Sequence, residues 1–378
     1  MSQIQKLTVK GFKSIKNLDD FALRPLNVLI GANGAGKSNF INLFKFLAAV
    51  AGNNFPVDVQ KWGGPEALLH YGSKTTPSIE LEIQFSVSEG VTGAFENGYC
   101  LTLEATEDNR LIFSREEPMV RRTGYVVPKR YSLGSGHDSA RIRTDKDSPS
   151  ATVSRYAMEK LQTWRQYHFH DTGDTATVKR MHAVNDNLRL KPDAANLAAY
   201  LRKLKTTPQY ERSYDHIVET VRRVAPFFND FLFREEDTEY MQLEWTECSR
   251  PDTPWKAHVL SDGTLRFICL ATLLLQPTAL LPDTILIDEP ELGLHPFAIN
   301  LLAEMLKEAA ESKQVIVSTQ SVELLNNFQP EDVVVVQREG DASVFKRLDA
   351  QELADWLTAD YSLGELWQRN VLGGRPTR

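Results

Sequence analysis

Cysteine is scarce in this chain. Only Cys100, Cys248 and Cys269 occur in 378 residues, an odd and scattered set that makes no disulfide framework, and no CxxC pair suggests zinc. The reading is a reducing compartment. Long hydrophobic runs are also missing. The longest apolar stretches, near 267–275 and 43–50, are too short or too interrupted to span a bilayer. The opening MSQIQKLTVKGFKSIK lacks the apolar core of a signal peptide. The chain therefore reads as soluble and cytoplasmic, with no membrane partner. Basic charge is not in excess either: 43 Lys and Arg face 50 Asp and Glu, a formal net charge of −7. That excludes a histone-like coat of positive charge, although a local basic patch can act alone. Internal repeats, low-complexity tracts and sustained apolar heptads are lacking, so no long coiled coil is expected. What remains is a globular balance, 42% apolar and 25% charged, in a chain long enough for roughly two or three domain-sized units.

The apolar pattern divides the chain in three. Residues 4–9 alternate as a half-buried strand does, 26–30 form a short apolar run ending at Gly31, and 38–50 carry apolar residues at helical spacing. Residues 79–85 alternate again, and 99–103 and 111–113 extend the β pattern. From about 115 to 150 the chain is rich in Arg, Lys, Gly, Ser and Pro, which reads as loops or an exposed excursion. Helices are expected at 151–167, 193–205 and 210–224, the second opened by Pro192 and Asp193. The last part returns to α/β: helix at 265–275, strand at 284–287, helix at 297–310, strands at 314–318 and 332–336. Segments 1–90 and 256–378 thus flank 91–255, read as a β extension followed by a helical lid or arm. The simplest architecture is one split α/β domain with an insertion.

The strongest motif is Gly31-Ala32-Asn33-Gly34-Ala35-Gly36-Lys37-Ser38. It fits GxxxxGK[ST] and lies between an expected strand and an expected helix, the context a phosphate loop requires. Glycines let backbone N–H groups turn inward around phosphate oxygens. The helix N-terminus adds partial positive charge. Lys37 would neutralise the β- and γ-phosphates and the Ser38 hydroxyl would bind Mg²⁺; Asn39 follows directly in the same helix start. The second motif is the apolar strand 284–287 ending in Asp288 and Glu289. Asp288 would hold the Mg²⁺ shell, and Glu289 would face the γ-phosphate and orient or deprotonate the attacking water. The third is Leu260-Ser261-Asp262-Gly263-Thr264, directly before an apolar helix; by itself it also reads as a helix N-cap.

In this order the three motifs resemble ABC-type ATPases. The phosphate loop comes first, then an LSGGQ-like signature turn, then an apolar strand ending in Asp-Glu. More narrowly, LTVKGFKSIKN with LIGANGAGKSNFINLF, and later IDEPELGLHP, is similar to the soluble SMC/RecF/OLD-like branch. The C-terminal YSLGELWQRNVLGGRP looks like stand-alone ATPases of that group. The resemblance implies a P-loop NTPase head of the ABC type, with a mixed and antiparallel β lobe and a mainly helical insertion. It implies ATP and Mg²⁺ as cofactors and an ATP-dependent head-to-head homodimer. In that dimer Ser261 and Gly263 reach the γ-phosphate held by the partner, and residues 291–296 form the D-loop region. The setting it implies is DNA repair or phage defence.

Two departures stand out. The family's switch residue is usually a His after the fourth core strand; here Gln320 takes that place, so slow hydrolysis is expected. No clear Q-loop glutamine is present, Gln84 being the weak candidate. OLD-type proteins also carry a Toprim nuclease, and too little chain follows Gln320 to hold one, so any nuclease or toxin effector is expected as a separate chain. In the insertion, Arg121, Arg122, Lys129, Arg130, Arg141 and Arg143 lie in one basic stretch with Tyr125 and Tyr131 interleaved, a candidate DNA contact; its plain alternative is a solvated loop. His168 and His170 are spaced for one strand face rather than a helix, and Trp164 and Trp245 read as core. Two rival functions stay open: an ATP-dependent scaffold, as a dimer or a higher assembly, that holds and releases a toxin or nuclease with little turnover, and a membrane transporter's ATPase subunit. The long separation of Lys37 from the signature turn disfavours the latter.

Overall fold

The computed structural model describes residues 3–86, 88–90, 93–122, 124–234, 239–358 and 361–374; the end of the C-terminal motif, Arg375 and Pro376, lies outside them. A mostly parallel sheet has the order Ala342–Arg347, Val333–Glu339, Leu26–Ile30, Gln314–Ser318, Thr284–Asp288, Arg165–Tyr167. Only the first pair is antiparallel. These strands are apolar almost throughout because both faces of the sheet are covered. Alternation then assigns each residue to a face. Val28, Ile30, Ile285, Ile287, Val315 and Val317 enter a core with helices Asp262–Leu275, Pro296–Ser312, Leu197–Thr206 and Glu211–Val224. Leu29, Leu286, Ile316 and Val334 enter a second core on the opposite face.

That second core holds helix Lys37–Val50 against an antiparallel sheet. Its order is Ile15–Ala22, Ile4–Phe12, Ser78–Phe85, Gly93–Ala105, Leu111–Arg122, Lys129–Arg130, with Ser88–Gly90 paired to Gly93–Ala105. The alternation expected at 79–85 is observed: Ile79, Leu81, Ile83 and Phe85 are buried. The phosphate-loop helix supplies Phe40, Phe44 and Phe46, which pack edge-on or tilted against Phe21, Phe12 and Trp164. One helix thus sits between two sheets, and its N-terminus emerges where the parallel strands end.

Two expectations are corrected. Residues 115–122 are not loop. They prolong Leu111–Arg122 against the equally long Gly93–Ala105, with Cys100 opposite Glu117 and Tyr99 opposite Pro118. Pairing with a long neighbour outweighs the charged composition. The helix expected over 151–167 stops at Thr163. Trp164 then buries itself against Phe44 and Phe85, and Arg165–Tyr167 becomes an edge strand parallel to Thr284–Asp288. The segment 91–255 also carries a small sheet, Phe228–Leu232, Glu244–Glu247 and Arg250–Lys256, built around the buried Trp245.

Candidate nucleotide site

Parallel strands in register bring their C-terminal ends to one edge, where open α/β sheets place ligands. Asp288 lies opposite Ser318, Ser318 opposite Leu29, and Ile287 opposite Tyr167. The loop after Ile30, the Asp288–Glu289 pair, Gln320 and the segment starting at His168 therefore converge.

The loop 31–38 is shaped by what its glycines permit. A Cβ on Gly31 would lie 2.0 Å from the Val336 carbonyl oxygen, so only glycine lets the strand end pass that close. Gly36, at φ +117, would place a Cβ 2.1 Å from Ser343 Oγ. A hydroxyl network fixes the turn from below. Ser343 Oγ lies 2.5 Å from the Ala35 carbonyl and 2.8 Å from Ser14 Oγ, and Asn39 Nδ2 donates to Ser14 at 2.8 Å. Lys37 folds back over the loop and donates to the carbonyls of Gly31 at 2.7 Å and Ala32 at 3.2 Å. Burial pushes the Lys37 ammonium below its ordinary pKa, while Glu289, Asp288 and Glu291 pull it back up. Ala32, Asn33, Gly34, Gly36, Lys37, Ser38, Asn39 and Glu289 line a pocket of about 180 Å³. Gly34 faces open space there, with nothing within 4 Å of a Cβ position. An anion cradle with a lysine and a serine on one wall and the Glu289 carboxylate on the other, next to Asp288, is the donor set that a nucleotide triphosphate with Mg²⁺ fits.

The acidic wall is as tightly organised. Asp288 accepts a hydrogen bond from Ser318 Oγ. Glu289 is held in the left-handed region at φ +45, uncommon for a side-chain-bearing residue, with its N–H donating to the Ser318 carbonyl at 2.8 Å. Its Oε1 accepts from the Gln320 amide. Beneath them, Glu291 is 7% exposed. Its Oε1 accepts from Thr319 Oγ1 at 2.6 Å and from the Gln320 N–H at 3.1 Å. Burial raises the Glu291 pKa, and the bonds from Thr319 and Gln320 oppose the rise.

The Ser261–Gly263 turn stands elsewhere on the head. Ser261 caps helix Asp262–Leu275, its Oγ accepting from the Thr264 N–H at 3.2 Å. Gly263 abuts the D-loop: a Cβ there would be 2.5 Å from the Gly293 carbonyl oxygen. Arg266, one turn on, donates to the carbonyls of Phe169 at 2.9 Å and His170 at 3.0 Å. Asp262 lies 3.8 Å from the buried Lys179, which offsets the negative charge that departs from the usual signature. Exposed Val259, Leu292 and Phe297 surround this turn and loop.

Other candidates fall away from the pocket. Gln84 sits in the antiparallel strand Ser78–Phe85, its amide donating to Glu82 at 3.1 Å, and is not among the pocket-lining residues. His168 to Asp171 follow the edge strand that pairs with Thr284–Asp288. The basic stretch is tied down rather than free. Buried Glu116 accepts from Tyr99, the Arg141 and Ile142 N–H groups and His137. Arg121 pairs with Glu96 and Arg130 with Glu82. Arg122 lies over Phe95 and Lys129 over Tyr131. Arg141 donates to the Leu133 carbonyl and Arg143 to Asn53.

A family model described as "AAA domain, putative AbiEii toxin, Type IV TA system" matches residues 26–326, well over half of the chain. The chain belongs to this family. Among curated relatives, urease accessory protein 2 of Cryptococcus neoformans is 23% identical over 251 residues, covering 65% of this chain and 18% of that protein. Structural maintenance of chromosomes protein 3 of Saccharomyces cerevisiae is 21% identical over 271 residues, covering 63% of this chain and 21% of that protein. The chain spans about a fifth of the length of these two relatives. A solved SMC head bound to the C-winged helix domain of ScpA matches with a TM-score of 0.60 and 16% identity over 92% of this chain and 99% of that one. The fold is that of an SMC head, and this AAA-family member is an ABC- and SMC-like P-loop ATPase.

Within this ATPase, several supporting residues carried no local sequence signal. Ser14 and Ser343 meet across more than three hundred positions of chain. Arg266 looks like any helix arginine. Glu291 was visible as the third acid of Asp-Glu-Pro-Glu, but only its burial against Thr319 sets it apart.

Proposed function

We propose that this chain binds and hydrolyses ATP at the edge formed by Lys37, Ser38, Asp288, Glu289 and Gln320, and that two heads close on ATP. The observation that carries this is the Glu289–Gln320 contact directly across the pocket from the Lys37 loop. N–H groups of residues 33–38 and the Lys37 ammonium hold the phosphates. Ser38 and Asp288 hold Mg²⁺, which when bound supplies the positive charge that the leaving phosphate oxygen needs. Glu289 takes a proton from the attacking water as its oxygen bonds the γ-phosphorus and the bond to the bridging oxygen breaks. Gln320 orients Glu289 and the water as a neutral donor, which fits slow turnover.

Each pocket has no signature turn of its own, so the second wall is the partner's Ser261 and Gly263. Apolar Val259, Leu292 and Phe297 beside that turn suit a self-complementary contact. In this reading, 1–90 and 256–378 form the head, and closure repositions 91–255. The setting is cytoplasmic DNA repair or phage defence with a separate nuclease or toxin effector. The family's toxin–antitoxin description and the SMC head's ScpA partner support a partner protein. DNA contact, in this reading, falls to Arg122, Lys129 and Arg143, since Arg121 and Arg130 already pair with acids. A scaffold that holds its effector with little turnover is the second reading, favoured by the neutral Gln320.

The test is light scattering and phosphate release. Lys37→Ala should lose ATP affinity by roughly 10–100-fold. Glu289→Gln should bind ATP, hydrolyse at least about 100-fold slower and shift from monomer to dimer with Mg·ATP. Wild-type turnover in Glu289→Gln would reject the assigned base, and a large assembly without ATP would favour the scaffold.

A further inference from the structure

The family match ends at residue 326, yet the chain beyond it returns to the nucleotide pocket. Helix Leu363–Gln368 opens with a capping box between Ser362 and Glu365. It packs onto helix Val322–Leu325, which begins two residues after Gln320. The contact is close: the Gly364 N–H donates to Asn326 Oδ1 at 2.7 Å, and a Cβ on Gly364 would lie 2.5 Å from Val322 Cγ1. Leu363, Leu366 and Leu372 join Leu324, Leu325 and Phe328 in the core. The chain then runs over strand Val333–Glu339 and meets the phosphate loop at Gly374. The Gly374 carbonyl accepts from the Ala32 N–H at 2.8 Å. Gly374 is buried at φ +83, and a Cβ there would sit 3.1 Å from Val335 Cγ1 and 3.4 Å from Gly31 Cα. Gly31 is thus wedged between the Val336 carbonyl and Gly374.

We propose that residues 363–374 are a positioning strap of the ATP site, joining the switch helix at Asn326 to the first peptide of the phosphate loop through Gly374. This rests on the reading of that loop as the ATP site. The strap touches no reacting atom in this account. Its Gly374 end sets the loop that receives phosphate, so it governs affinity. Its Gly364 end sets the helix that directly follows Gln320, so it governs turnover. Two contacts at opposite ends of one segment give two separable effects.

The test uses the full chain and measures a fluorescent ATP analogue's Kd together with steady-state KM and kcat. Gly374→Val, strained at positive φ, should weaken ATP binding about tenfold with kcat within about twofold. Gly374→Asn, which tolerates positive φ, should recover most of that loss. Asn326→Ala should lower kcat about fivefold with KM unchanged. Far-UV circular dichroism and the melting curve check folding; if Gly374→Val is unfolded, Gly374→Asn and Asn326→Ala carry the test. Wild-type affinity in folded Gly374→Val, or equal changes of KM and kcat in all variants, would overturn the strap. Absence of ATP binding in wild type, indistinguishable from Lys37→Ala, would overturn the underlying reading, whereas normal wild-type binding with indifferent strap variants removes the strap alone.

Discussion

At the scale of single residues, Glu291 shows how a buried group can matter without touching substrate. Its Oε1 gathers Thr319 Oγ1 and the Gln320 N–H, so it sets where the switch segment stands. Glu291→Ala should reduce kcat roughly tenfold, about 1.4 kcal/mol, with the ATP KM unchanged, and Glu291→Gln should restore most of it. Stability carries a second signature. Burial raises the folded-state pKa of Glu291 above its unfolded value. Such a group contributes stability that is fully present below the unfolded pKa and lost as pH rises through the folded one. Glu291→Gln, neutral throughout, should therefore gain melting temperature relative to wild type as pH goes from about 4 to about 8. A pH-independent difference would show that Glu291 is not uncomfortable as a carboxylate.

At the scale of elements, the edge strand Arg165–Tyr167 matters more than its three residues suggest. Its pairing with Thr284–Asp288 delivers the next residues, His168 to Asp171, to the edge where Asp288 stands. Arg266, on the helix that follows the Ser261 turn, bonds the carbonyls of Phe169 and His170. The signature helix and this segment are therefore mechanically joined. Arg266→Ala should speed amide exchange at residues 169–171 about tenfold while leaving the phosphate loop unchanged; unaltered exchange would show that the strand alone orders the segment.

At the scale of the whole molecule, the head carries an apolar patch where two copies could meet. Val259, Leu292 and Phe297 are exposed apolar groups beside the signature turn and D-loop. Leu292→Asp with Phe297→Asp, placed in the Glu289→Gln background, should abolish the ATP-dependent dimer while ATP affinity stays within about twofold. Dimerisation that survives these charges would place the interface elsewhere.

Local chemistry was enough to single out the Gly31–Ser38 loop, the Asp288–Glu289 strand end and the Ser261 turn as candidates. Each is a contiguous run whose residue types and spacing state its own geometry: glycines where the backbone must turn, a lysine at a helix start, carboxylates after an apolar strand. The split α/β head followed from the same runs, because strands covered on both faces are apolar throughout; that its central sheet is mostly parallel came only from the structure. The sequence alone could not show that Trp164 ends a helix and starts an edge strand, or that Arg115 to Arg122 pair across a long hairpin. Nor could it show that Ser14 meets Ser343, that Glu291 lies under Gln320, or that Gly374 closes on Ala32. These depend on which distant segments become neighbours. Such contacts leave no local periodicity, because a hydrogen bond between residues hundreds of positions apart constrains each partner only by size and polarity.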